Sequence, residues 1–151
     1  MPDTASLAAL NANIDGLSSG FTALSDSIWD FAELKFHEHR SAGLLIDMLK
    51  KHDFSVTTGV AGMETAFIGE YGSGKPVIAF LGEYDALPGL GQESVPVKRP
   101  VRSTKPGHGC GHNLFGTGSD ATAIVVKQWL AAKRISGTVG FYGGPAEGVG
   151  G

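Results

Sequence analysis

Residues 107–112 read Gly-His-Gly-Cys-Gly-His, so His108, Cys110 and His112 stand two apart with glycine between them. In an extended backbone, residues two apart face the same side, and the spacing predicts that these three side chains converge. The intervening glycines remove bulk and permit unusual dihedrals, letting the backbone come close to whatever sits there. Imidazole nitrogen and thiolate sulfur are the donors that zinc and similar ions prefer. The pattern points to a divalent metal.

The apolar pattern around this motif predicts the elements that would position it. Helical spacing is expected over 6–34, weakened at Gly16 and Gly20, and again over 41–51, where Leu44, Leu45, Met48 and Leu49 form one stripe. Short strands are expected over 54–58 and 65–71. The nearly continuous apolar run PVIAFLG at 76–82 reads as a strand buried on both faces. A polar connection over 83–111 follows, then a helix over 113–134 and a second buried strand at 138–142.

Strand, loop, helix and strand in this order form a βαβ unit, whose right-handed crossover makes 76–82 and 138–142 parallel. Ligands bind outside the carboxyl ends of strands in such sheets. Glu83 and Asp85 leave the first strand at that end, Glu147 leaves the second, and the His-Cys-His loop precedes the helix between them. Connectivity alone thus brings three polar clusters to one crevice. The final GGPAEGVGG comes where further helix and strands are expected, so the sequence reads as the first part of something larger.

Bulk composition narrows the class. The 151 residues, 42% hydrophobic and 18% charged, suit one globular domain. Glycine, at 23 residues, is about twice its usual share of roughly 7%. A net charge of −3 argues against a general nucleic-acid binder. One cysteine permits no intrachain disulfide, the first 16 residues lack the pattern of a secretory signal, and no run reaches the ~18 apolar residues of a membrane helix. A cytoplasmic protein without membrane partners is expected.

Three segments carry a resemblance. LGEYDALPG (81–89), HGCGHNLFGTG (108–118) and FYGGPAE (141–147) are similar to consecutive motifs of the metal-dependent amidohydrolases in the aminoacylase and carboxypeptidase group of zinc peptidases. IWDFAELKFHEHRSA (28–42) and GVAGMETAF (59–67) resemble the branch that hydrolyses p-aminobenzoyl-glutamate, so the similarity covers nearly the whole chain. The resemblance implies an α/β fold: the amino-terminal part of a three-layer catalytic domain with a mixed, largely parallel sheet, lacking the family's dimerisation domain. It implies a two-metal site, with zinc or manganese, that cleaves the amide of an N-acyl or aminobenzoyl amino acid or a dipeptide-like substrate. Full-length relatives are expected to be homo- or hetero-oligomers.

Carried over by position, Cys110 and His112 match metal ligands, and Glu147 matches the general base that activates the attacking water. Asp85 matches a supporting carboxylate, Glu83 more weakly so, while His108 is expected to orient its neighbours by hydrogen bonding. Where the family carries a second, ligating glutamate, this sequence has Gly148, and two further family histidines lie beyond residue 151. An incomplete site, inactive in this chain alone, is the expectation.

Plainer readings stand beside these. Cys110 read alone is a buried free thiol, and Asp85 or Glu147 could be ordinary loop carboxylates. His37, His39 and His52 read as solvated, the basic residues Lys98, Arg99, Arg102 and Lys105 as a solvated loop, and Trp29, Phe31 and Trp129 as core. The competing function is a non-catalytic anion- or metal-binding α/β module, its glycine-rich loop holding an anion at a helix N-terminus. Against an anion site, the sequence has no GxxxxGK[ST].

Overall fold

The computed structural model describes residues 4–101 and 105–149. Helix α1 spans Thr4–Phe31 and runs through Gly16 and Gly20 without a break. Helix α2 spans His39–Lys51 and buries Leu45 and Leu49 from the predicted stripe. Its first turn is closed by a carboxylate from outside the helix. Glu33 accepts from the backbone N–H of Arg40 at 3.0 Å and of Ser41 at 2.8 Å, satisfying donors that helix starts leave open.

The strands are β1 (Ser55–Thr58), β2 (Phe67–Ser73), β3 (Val77–Glu83) and β4 (Gly137–Gly144), with helix α3 (His112–Lys133) between the last two. Their order across the sheet is β1-β2-β4-β3. The expected βαβ unit is present: β3 and β4 are parallel, with Phe80 opposite Phe141 and Glu83 opposite Gly144. The other two pairings are antiparallel, which makes the sheet mixed.

Helices α2 and α3 cover the sheet face that carries Val139 and Phe141. Phe67 stacks between Phe141 and Tyr84 at centroid separations of 5.6 and 5.9 Å. Ile28, Leu45, Leu49, Ile124 and Val139 complete the fully buried core, each large aliphatic contributing about 1.5–3 kcal/mol by leaving water. Helix α3 lies unusually close to β3 because glycines meet there. A Cβ on Gly116 would come within 2.5 Å of the Glu83 carbonyl oxygen, and one on Gly82 within 3.2 Å of the Gly116 Cα. Glu83 and the start of α3 are thereby locked together.

The structure departs from the sequence reading at β3. Its residues were expected to be buried on both faces, yet Val77 and Leu81 are more than half exposed. The reason is the face they occupy: Gly82 points at Phe141 and Gly116 of α3, whereas Val77 and Leu81 point the other way, beside exposed Tyr142, where among the described residues no helix covers the sheet. The long connection after β3 is tied down at both ends, with Ala86 N–H donating to Glu33 O and Leu87 and Gly107 exchanging backbone hydrogen bonds. Within it Arg99 pairs with Glu93 at 3.3 Å on the surface; Arg102 lies outside the described residues. Among the described residues no helix is long and apolar enough to cross a membrane.

Candidate metal centre

The glycine-alternating loop is bent, not extended. Gly111 adopts φ 77° as the N-cap of α3, and its N–H reaches back to His108 O. That left-handed turn, open to glycine at little steric cost, sends the three candidate donors in different directions. His108 points at α1, its Nε2 3.0 Å from Ile28 O, and burial holds its pKa below the usual value. Cys110 is exposed. His112, the first residue of α3, turns inward and is buried. The predicted convergence of all three therefore does not occur.

His112 instead meets carboxylates from the ends of both parallel strands. Its Nδ1 lies 2.8 Å from Asp85 Oδ1, while Nε2 lies 3.2 Å from Glu83 Oε2 and 3.5 Å from Glu147 Oε2. Asp85 is almost wholly buried, and its second oxygen accepts the Gly148 N–H at 2.9 Å. In the tautomer that donates from Nδ1 to Asp85, the Nε2 lone pair is aimed at two carboxylate oxygens. Three acceptors facing one another need a proton or a cation between them. Burial pushes the Glu83 carboxyl up, a charged His112 ring opposes the shift, and the nearby Glu147 and Asp85 charges add to it. The positive end of α3 partly offsets this crowding of negative charge.

The spacing fits an ion. The donor atoms of Glu83, His112 and Glu147 all lie within 4.8 Å of one another. Two ligands on a tetrahedral ion at ~2.1 Å stand about 3.4 Å apart, and the Nε2 separations of 3.2 and 3.5 Å bracket that edge. Asp85 on the other ring nitrogen supplies the carboxylate–histidine pairing that orients metal-ligating imidazoles. One imidazole and two carboxylates, with an open side at the exposed Glu147, match a three-donor catalytic site more than a closed structural one.

Of the residues singled out in the sequence, His112, Asp85, Glu147 and Glu83 come together, while Cys110 and His108 stand apart from the group. Gly148 contributes only its N–H, and a Cβ there would meet Leu87 Cδ2 at 2.8 Å and Asp85 Oδ2 at 3.0 Å. Sequence reasoning passed over Glu38, a fully buried carboxylate that accepts the Ala146 N–H at 3.0 Å. Nothing in His-Glu-His-Arg, which looks like a charged helix start, signals it.

Replacing Asp85 with asparagine removes the anion that fixes the His112 ring. Divalent-cation affinity is expected to fall about 10–100-fold, as read by calorimetric titration. Unchanged affinity would show that the ring orients itself without Asp85.

No protein-family model matches the chain. It is 49% identical over 129 residues to a subunit of p-aminobenzoyl-glutamate hydrolase from Escherichia coli, covering 84% of this chain and 27% of that protein. The Xaa-Arg dipeptidase of Mus musculus is 32% identical over 127 residues, covering 78% of this chain and 26% of the relative. The chain thus spans about a quarter of the length of these curated relatives. Among solved structures, a dinuclear metal-binding peptidase of the M20 family from Bacillus subtilis superposes with a TM-score of 0.65 at 27% identity, covering 87% of this chain and 37% of the other. A Staphylococcus aureus structure described as an aminohydrolase gives 0.70 at 25% identity, covering 93% and 35%. With the motifs, the sheet and these relatives in agreement, the chain belongs to the metal-dependent amidohydrolases of the aminoacylase and carboxypeptidase group, the M20 peptidases.

Proposed function

We propose that this chain carries a divalent-metal centre for hydrolysis of an amide bond to an amino acid, the substrate being a small N-acyl or aminobenzoyl amino acid or a dipeptide. The observation that carries the reading is His112 Nε2 at the spacing of two ligands on one ion from Glu83 and Glu147, while Asp85 holds the opposite nitrogen. When bound, a divalent ion would polarise the scissile carbonyl and acidify water beside it. His112 and Glu83 would hold the ion, and Asp85 orients His112. Glu147 has the most exposed carboxylate of the group and takes the proton of the attacking water as general base, then passes it to the departing amine.

Cys110 is the thiolate donor this reading adds, two residues before His112. It is exposed in this structure, so its engagement requires the 109–111 turn to rotate. Zinc suits the nitrogen and sulfur donors, and manganese suits the carboxylates. The substrate class is supported by the names of the relatives, one part of a p-aminobenzoyl-glutamate hydrolase and the other a dipeptidase. That the first of these is named as one subunit of its enzyme supports assembly into an oligomer. A cytoplasmic setting is in keeping with a lone cysteine.

The test is metal content followed by turnover. The purified chain is expected to retain one divalent ion, and to release p-aminobenzoate from p-aminobenzoyl-glutamate more slowly than the full-length Escherichia coli relative. Slow turnover is expected because the described residues gather donors for one ion, not two. Glu147→Gln should cut that release by about 100-fold or more, within the 10²–10⁴ range for general-base removal. Failure to retain any ion, or release that survives chelation and Glu147→Gln, would overturn the proposal.

A further inference from the structure

Glu147 follows a residue in an unusual conformation. Ala146 is buried and has φ 65°, in the left-handed region that a β-carbon disfavours. The backbone N–H groups on either side of Glu147 are each accepted by a buried carboxylate. Glu38 Oε1 takes the Ala146 N–H at 3.0 Å, and Asp85 Oδ2 takes the Gly148 N–H at 2.9 Å. Glu147 itself is left to face His112 from between these two anchors.

Glu38 is free for this task because another residue does its local work. It occupies the N-cap of α2, a position where short polar side chains bond the first turn, yet it makes no cap bond. Glu33 supplies both cap bonds instead. The second oxygen of Glu38 accepts the Thr65 hydroxyl at 2.9 Å, and the Thr65 carbonyl accepts the Tyr84 hydroxyl at 2.6 Å. Glu38, Thr65 and Tyr84 are all buried, and Tyr84 directly precedes Asp85. One hydrogen-bonded chain therefore links the two anchors from within the core.

We propose that Glu38 is a positioning residue that holds the Ala146 peptide in its left-handed turn and so presents Glu147 to His112. The consequence for catalysis rests on the metal-hydrolase reading above; the consequence for the backbone does not. Asp85 fixes the imidazole and the far side of Glu147, and Glu38 fixes its near side, so losing Glu38 unhinges the base without touching the other donors.

Amide hydrogen exchange by NMR separates the two. In Glu38→Ala, protection of the Ala146 N–H is expected to fall about tenfold or more, the scale of a lost hydrogen bond to a charged acceptor, while Val139 and Phe141 in β4 keep theirs. Glu38→Gln retains a carbonyl oxygen for Ala146 and should restore protection to within about threefold. Should Glu38→Ala not fold, Thr65→Val carries the same test, with a partial loss at Ala146. In parallel, cobalt(II) affinity should change little in Glu38→Ala, since His112 keeps Glu83 and Asp85, while release of p-aminobenzoate falls and Glu38→Gln recovers it. If the unsubstituted chain binds no cobalt, the hydrolase reading fails while the exchange result still stands. Ala146 protection that is unchanged in a folded Glu38→Ala or Thr65→Val protein would overturn the positioning role.

Discussion

Replacing His112 with alanine is expected to lower divalent-cation affinity by roughly 100-fold or more, because the group of Glu83, His112 and Glu147 loses its one nitrogen donor. Among the described residues His112 is the one that touches Asp85, Glu83 and Glu147 together. Without the ring, three carboxylates face each other with no nitrogen between them, and buried Asp85 loses its shorter partner. Stability in the absence of metal should therefore fall as well, by about 1–3 kcal/mol for an unsatisfied buried acceptor. Calorimetric zinc titration reads the first effect and a urea midpoint the second. His52→Ala, a substitution at the far end of α2, serves as the control and should leave zinc affinity unaltered. Equal affinity in His112→Ala would remove this residue from the centre.

The second large effect concerns Asp120, in the middle of α3. Its side chain is fully buried, and among the described residues neither oxygen has a hydrogen-bond partner. Burial drives its carboxyl well above the ordinary range. The folded chain thus holds a proton here that the unfolded chain, with a pKa of about 3.9, has given up. Stability from this group is complete below about pH 3.9 and declines as pH rises through the folded pKa, at up to about 1.4 kcal/mol per pH unit. For a chain of this size that is about 3–6 °C per pH unit in the thermal midpoint. Asp120→Asn should flatten the decline, and Asp120→Leu should both flatten it and raise stability at neutral pH by about 1–3 kcal/mol. A thermal-melt series from pH 4 to 8 decides the matter; parallel curves for the three proteins would mean that Asp120 is ionised and solvated in the fold.

Much of the scaffold could be read from residue patterns. The stripe of Leu44, Leu45, Met48 and Leu49 marks α2, and the apolar runs on either side of α3 mark β3 and β4 in their parallel pairing. Chain connectivity then brings Glu83, Asp85, His112 and Glu147 to one edge, where the structure has them. What sequence could not show was set by single dihedrals and by distant partners. The turn at Gly111 decides that His112 faces in and Cys110 faces out, and alternation of side chains along an extended strand gave no hint of it. The exposure of β3 depends on what lies over the face that Val77 and Leu81 share, and its apolar composition says only that it suits a covered position. Glu38 reaches a backbone N–H 108 positions away, a contact that no local pattern announces.

Anomalous diffraction at the zinc edge, from crystals of the 151-residue chain grown with zinc, tests the centre most directly. The account predicts a peak about 2.0–2.2 Å from His112 Nε2, bounded by Glu83 and faced by Glu147, with Asp85 still on Nδ1. Zinc found only on Cys110 or on surface histidines, with His112 left hydrogen-bonded among its carboxylates, would contradict it.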